Sequence, residues 1–309
     1  MRRLPLGERA LLVDERDFLI LSQLRKYPFS SYETLGRGIG LSGKAVKTRI
    51  EAMEKAKILT TLQALPAAQV FRRAPRLLFF KQSGTLEKLS TALELDPAVF
   101  GTMDVSRSVA VLLYEGDSTA RARKALTAIL GPIELEVTPL FPHPQGELSK
   151  PLTLPELDVL RALVADLRAP VSEISEATGF SQKVVKMARR RLLEGGLFQV
   201  QPILQSAQSS RILMYEVHVH SDDDSVLQRV RETLPKSVFV NQWERTAVVL
   251  SCWADSIAEV FETERRLKAE PGVSAVRVKF HARAILASSR LISWIDEEAL
   301  RLKKPSRAR

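Results

Sequence analysis

The sequence predicts an α+β protein made of two copies of a winged helix-turn-helix, each followed by a ferredoxin-like βαββαβ domain. Three observations lead there. The chain matches itself at an offset of 139 residues, a helix–helix–glycine–helix pattern opens each copy, and a β-α-β-β-α-β succession closes it. "LGRGIGLSGKAVKTRIEAMEKAKIL" (35–59) aligns without a gap on "ISEATGFSQKVVKMARRRLLEGGLF" (174–198). Gly40 meets Gly179, Ser42 meets Ser181, Lys44 meets Lys183, Val46 meets Val185 and Lys47 meets Lys186. A period this long marks a repeated multi-element unit, because solenoid repeats run to only about 20–50 residues.

In the first copy Asp14 is a candidate N-cap with Asp17 at the third helical position, and Phe18, Leu21 and Leu24 follow at helical spacing. In the second, Thr153 caps, Pro155 stands near the start and Glu156 closes a capping box. Ser30 or Ser31 begins a short second helix in copy one, and Ser172 does so in copy two. The turns "GIGL" and "ATGF" then place Gly40 and Gly179 where the backbone needs positive φ. Third helices run from Ser42 to about Ala56 and from Ser181 to about Glu194. After them, "ILTTLQAL" (58–65) and "LFQVQPIL" (197–204) alternate or run apolar, as the short strands of a wing do.

The first sheet domain reads as strands at 76–80, 98–105, 108–116 and 133–141, with helices at 85–93 and 118–130. The second reads as strands at 211–220, 237–243, 245–254 and 273–281, with helices at 224–234 and 256–269. This order gives an antiparallel sheet with helices on one face. The expected domains are 1–70 and 151–205 (helix-turn-helix), 75–142 and 210–285 (sheet), and 286–309 (a last helix and the basic tail "KKPSRAR").

Composition narrows the function. The chain has 309 residues, 45% of them hydrophobic, as a folded soluble protein does, and no run approaches the ~20 apolar residues of a membrane span. Glu8 and Arg9 interrupt the apolar N-terminus, so it lacks a signal peptide's core. A single cysteine, Cys252, fits a reducing cytoplasm. A formal charge of +10 favours a polyanionic partner, and nucleic acid over a membrane, since no basic amphipathic anchor stands out. No P-loop, HExxH, GxSxG or CxxC pattern is present. No catalytic, metal or cofactor residue is therefore assigned, and the chain is expected not to be an enzyme. His218 and His220 alternate on one strand face, with His281 on the last strand; solvated or core-edge histidines are the plainer reading, and a site with Asp222 the alternative. Cys252 reads as a buried thiol, and Trp243, Trp253 and Trp294 as packing residues.

At ~100° per residue, Val185, Ala188 and Leu192 share one side of the second copy's third helix, and Lys183, Lys186 and Arg190 the other. A merely solubilising helix mixes signs at i,i+4, whereas this face carries no acid until Glu194. In the first copy the stripe is Lys44, Lys47 and Glu51. Ser42, Ser181 and Gln182 stand at the helix starts, where N–H groups favour phosphate; for the serines an ordinary N-cap is compatible with that role. The candidate DNA-binding residues are therefore Ser42, Lys44, Lys47, Arg49, Ser181, Gln182, Lys183, Lys186, Arg189 and Arg190, with Arg189 flanking the stripe.

"VDERDFLILSQL…LGRGIGLSGKAVKTRIEAMEKAKIL" resembles the DNA-binding domain of the leucine-responsive/asparagine (Lrp/AsnC) regulators, in its acid-flanked first helix, its "GLS" and the "RI" inside the third helix. The βαββαβ segments resemble that family's RAM domain. The resemblance implies a transcription regulator that binds double-stranded DNA, assembles as a homo-oligomer through its sheet domains and responds to a small-molecule effector. Members usually carry one unit per chain, so this chain looks like a fused pair. The family's Gly-x-Tyr-Asp-like effector turn is missing from "FGTMDVSRSVAVLL" and "NQWERTAVVLS", so no effector residue is assigned. Siroheme decarboxylases share this architecture and are the rival reading. They need histidine and arginine around the second and third sheet strands, where this chain has only Arg107 and Arg245. An architectural DNA binder and a protein–protein module are further alternatives.

Overall fold

The computed structural model describes residues 13–303 apart from 82–84, 117–118, 138, 141–147, 149, 206–212, 235–236 and 244–246. The chain begins with α1 (Glu15–Lys26), α2 (Tyr32–Arg37), α3 (Gly43–Lys55) and β1 (Leu59–Pro66). Then come β2 (Ala74–Phe80), α4 (Leu86–Leu93), β3 (Ala98–Asp104), β4 (Val109–Glu115), α5 (Thr119–Leu130), β5 (Ile133–Val137) and the two-residue β6 (Pro139–Leu140). The same order recurs as α6 (Leu154–Ala165), α7 (Val171–Thr178), α8 (Gln182–Glu194), β7 (Phe198–Leu204) and β8 (Leu213–His220). It finishes with α9 (Asp224–Thr233), β9 (Ser237–Trp243), β10 (Ala247–Ala254), α10 (Ile257–Lys268), β11 (Ala275–Leu286) and α11 (Ser288–Lys303). This is the expected α+β fold.

Local signals set most helix starts. Asp14 caps α1 in a capping box with Asp17, and the Glu156 carboxylate accepts from the Thr153 backbone N–H (2.7 Å) and hydroxyl (2.8 Å). Ser31 caps α2. In the second copy Pro170, not Ser172, precedes the helix, because a fixed proline φ suits a helix entry.

The expected wing strands form, as β1 and β7, and they pair with each other, antiparallel, across the two copies. An alternating strand needs a ladder partner, and its nearest one lies in the other copy. The register carries a symmetry. Leu62 pairs with Pro202, the repeat equivalent of Gln63 (63 + 139 = 202), and Gln63 pairs with Gln201, the equivalent of Leu62 (62 + 139 = 201). A local two-fold axis therefore passes between these pairs. Only a bulge between Leu59 and Thr61 interrupts the register.

The sheet domains interlock in the same way. Each has the ferredoxin-like order, β5-β2-β4-β3 and β11-β8-β10-β9. The first half of β11 pairs with β8 of its own domain, and from His281 onward it pairs with β3 of the other. That second pairing is why β11 continues to Leu286, beyond the expected end at 281. Reciprocally, β5 pairs with β2 while β6 pairs with β9. The result is one nine-stranded sheet, folded so that its two halves face each other. Phe79 on β2 meets His218 on β8 edge-on (ring centroids 4.7 Å apart), and Arg277 on β11 pairs with Glu134 on β5 (2.7 Å).

Alternation along the strands separates two kinds of core. Leu78, Phe80, Val111 and Leu113 turn outward under α4 and α5, and Val217, Val219, Val248 and Leu250 pack with α9 and α10. Leu77, Phe79, Leu112 and Tyr114 face inward and join the α6–α8 core together with Leu291, Trp294 and Ile295 of α11. The α1–α3 core is completed by Leu204 and Trp253 of the second copy. Each helix-turn-helix thus rests on elements of the other copy. Trp253 and Trp294 are packing residues, as expected; the Trp243 side chain lies outside the described residues. Cys252 is buried, which pushes its thiol up to about 12.

Candidate nucleic-acid interface

Both third helices are entered through the same device. Gly40 and Gly179 adopt φ of +70° and +74°, with open space where a Cβ would stand, so the requirement there is conformational and not steric. The Ser42 and Ser181 hydroxyls then accept from the backbone N–H of Ala45 (3.2 Å) and Val184 (3.4 Å). Val46, Ile50 and Met53 bury one side of α3, and Val185, Ala188 and Leu192 one side of α8.

The opposite sides are exposed. On α3 they carry Lys44, Lys47, Thr48 and Glu51, and on α8 Gln182, Lys183, Lys186, Met187 and Arg190. Lys47 lies 3.6 Å from Glu51, both side chains 59% exposed. Arg190 lies 3.8 Å from Glu194, at 72% and 69% exposure. Pairs this open contribute only about 0.3–0.5 kcal/mol, so they hold these cations weakly. Lys44, Lys183 and Lys186 have no ion pair among the described residues. The structure therefore brings eight of the ten candidates to two surfaces: Ser42, Lys44 and Lys47, and Ser181, Gln182, Lys183, Lys186 and Arg190.

Arg49 and Arg189 do not join them. Arg49 donates to Asp14 and Asp17 (2.9 Å each through Nη1, and 3.0 Å to Asp14 through Nη2). Arg189 donates to the Ala169 carbonyl, and its guanidinium lies 4.9 Å from the ring centroid of Phe29 in the other copy. Both sit beside the buried stripe of their helices, within reach of partners inside the fold.

Sequence reading also missed a shared lock. Asp17 and Glu156 are one repeat position (17 + 139 = 156), and their carboxylates are 3% and 5% exposed. Arg49 holds the first and Arg191 the second, at 2.9 and 2.6 Å. Arg191 stands three residues past the equivalent of Arg49 (49 + 139 = 188), about one helical turn, so the two copies close the same pair from adjacent turns. The available signal was an arginine on the flank of the third helix's buried stripe, paired with an acid at the third position of the first helix, in both copies. Burial dominates at Asp17 and raises its carboxyl above the ordinary value, against the lowering pull of the Asp14 backbone and Arg49.

Elsewhere, His218 is 2% exposed and its Nε2 lies 3.2 Å from Glu216, while the Lys279 ammonium stands 4.3 Å from the Phe79 ring centroid without a hydrogen-bond partner. His218 is thus a core residue of the inter-sheet space. The His281 side chain and Arg245 lie outside the described residues. Among the described residues, no group of His, Cys, Asp or Glu is arranged to hold a metal, and no helix is long and apolar enough to cross a membrane.

Residues 13–60 match the family model described as winged helix-turn-helix DNA-binding, so the chain opens with a DNA-binding domain of that class. Over nearly its whole length it is similar in fold to the crystal structure of the siroheme decarboxylase NirDL, which is 13% identical. That match has a TM-score of 0.51 and covers 94% of this chain and 100% of that one. The same protein in co-complex with an iron-uroporphyrin III analogue gives 12% identity, a TM-score of 0.49 and coverage of 94% and 100%. A transcriptional regulatory protein of the AsnC family from Pyrococcus furiosus is 16% identical, with a TM-score of 0.29 and coverage of 41% of this chain and 87% of that one. No curated protein sequence matches the chain. These findings correct one expectation. The full-length architecture belongs also to an enzyme, so the absence of familiar catalytic motifs does not exclude catalysis.

Proposed function

We propose that the chain is a sequence-specific, DNA-binding transcription regulator of the Lrp/AsnC type, a tandem duplication acting in the cytoplasm. Residues 1–70 and 151–205 are its DNA-reading domains, and 75–142 and 210–285 the RAM-like domains that assemble them. One observation carries this reading: Lys183, Lys186 and Arg190 stand together, exposed, on the third helix of a helix-turn-helix. In that class the third helix enters the major groove while Lys and Arg hold the phosphates. The two copies supply each other's sheet edges, so the dimer expected of the family is largely met within one polypeptide. Sedimentation at several concentrations tests whether a second chain adds to it. The DNA test is fluorescence anisotropy on duplex DNA over a salt series. Replacing Lys183, Lys186 and Arg190 by Ala lowers affinity and flattens the slope by about 0.9 for each phosphate no longer neutralised. Unchanged binding by this variant refutes the assignment.

The full-length fold match supports a second reading, a siroheme-decarboxylase-like enzyme. His218, Arg277 and Lys279 between the sheets are the groups it would call on for carboxylate binding and proton transfer. Loss of carboxylate from siroheme incubated with the purified protein, with no affinity for DNA, decides for it.

A further inference from the structure

The two candidate recognition helices are related by symmetry but not by chemistry. The β1–β7 register defines a local two-fold axis, and α1 and α6 pack reciprocally on β7 and β1. Two helix-turn-helix units disposed in this way address two half-sites in inverted orientation, since operator symmetry follows protein symmetry.

Their outward sides differ at three positions between 43 and 51 and at one beside the helix start, and in the last turn the exposed Lys55 corresponds to the exposed Glu194 (55 + 139 = 194), a reversal of sign. Gly43 stands where α8 has Gln182, Thr48 where it has Met187, and Glu51 where it has Arg190. The fourth difference lies beside the helix start. A Cβ at Gly43 would fall 1.9 Å from the Glu33 carboxylate, so that acid lies against the first residue of α3. Its equivalent in the second copy is Ser172 (33 + 139 = 172). The N–H groups that attract phosphate at a helix N-terminus therefore have an anion beside them at α3. Base readout differs as well. Arginine suits guanine and glutamine suits adenine, whereas glutamate accepts from the cytosine amino group. Lys44/Lys183 and Lys47/Lys186 are common to both.

We infer that one chain reads an inverted repeat with two unlike halves. The α8 half is held mainly by cations and read by Gln182 and Arg190, and the α3 half is held weakly and read through Glu51. This rests on the DNA-binding reading above. The shared lysines position both helices, while the non-shared residues set the two sequences. Over the N-terminal part of the two helices, from the Glu33-flanked start to Glu51 and its counterpart Arg190, electrostatic affinity comes chiefly from the second copy.

Selection from a randomised duplex library with the full-length chain tests this. The expected product is an inverted repeat whose halves differ in sequence. Identical halves, or a single isolated half-site, would overturn the inference, and no enrichment at all overturns the DNA-binding reading itself. A second selection with E51R, whose folding is checked by circular dichroism, gives halves more alike than those of the parent protein. Roughly tenfold tighter binding to that product is expected, a typical gain for one good bidentate pairing with a base. If E51R selects the same sequences as the parent, α3 does not read the α3 half and the inference fails.

Discussion

Trp253 lies flat on Phe18, their ring centroids 5.6 Å apart and their planes within 6°. The first residue belongs to β10 of the second copy and the second to α1 of the first, so this stack ties the N-terminal helix-turn-helix to the distant sheet. Trp253 is 6% exposed and, with Leu204, closes the core built on α1–α3 from the side of the second copy. Replacing it by Ala leaves a cavity at the junction and costs about 3–5 kcal/mol. Urea unfolding followed by far-ultraviolet circular dichroism measures the loss. A cost below about 1 kcal/mol, less than any large-to-Ala core truncation, would mean that the stack is dispensable.

Arg49 offers a sharper separation of roles. If it serves the fold and not the DNA, R49A lowers stability by about 3 kcal/mol, because Asp17 is left buried without its cation. The salt slope of DNA binding stays at the parent value. Burial already raises the Asp17 carboxyl in the folded state. Removing the cation raises it further, so stability of the variant is best below the unfolded value near 3.8 and falls as pH rises through the folded one. The deficit relative to the parent is therefore larger at neutral pH than in mild acid. A reduced salt slope with unchanged stability would return Arg49 to the DNA surface.

Glu136 gives the opposite pH signature. The Arg123 guanidinium grips it through two hydrogen bonds, at 2.9 and 2.6 Å, and holds its carboxyl below the ordinary 4.5 despite partial burial, with Arg76 adding to the pull. The same Arg123 also takes Glu115 on β4. A depressed folded value means stability fully present above 4.5 and lost as pH falls through the folded value. E136Q removes that dependence. Acid unfolding curves of parent and variant should converge at the low end of this window, and parallel curves would refute the coupling.

Much of the fold was legible because it is written in neighbouring residues. The Asp14–Asp17 box, the glycines at positions 40 and 179 and the βαββαβ succession are all fixed within a few residues of where they act. What escaped is long-range. "LTTLQALP" alternates equally well beside a hairpin partner or beside β7, about 140 residues away, and periodicity does not distinguish them. The crossing of β11 onto β3 was hidden for the same reason. At the candidate site, the exposed lysines followed from helical phase. Arg49 and Arg189 did not, because a long side chain on the flank of a buried stripe chooses its direction by its partners, and those come from other helices and the turns between them.

The seam between β1 and β7 has one more effect. In an ordinary homodimer a single gene encodes both readers, so every substitution in a recognition helix is made twice and the target must change in both halves together. Here α3 and α8 are inherited as separate stretches of one coding sequence. A change at position 51 leaves position 190 untouched, so on the proposed DNA-binding reading one half of a target can drift while the other keeps hold of the protein.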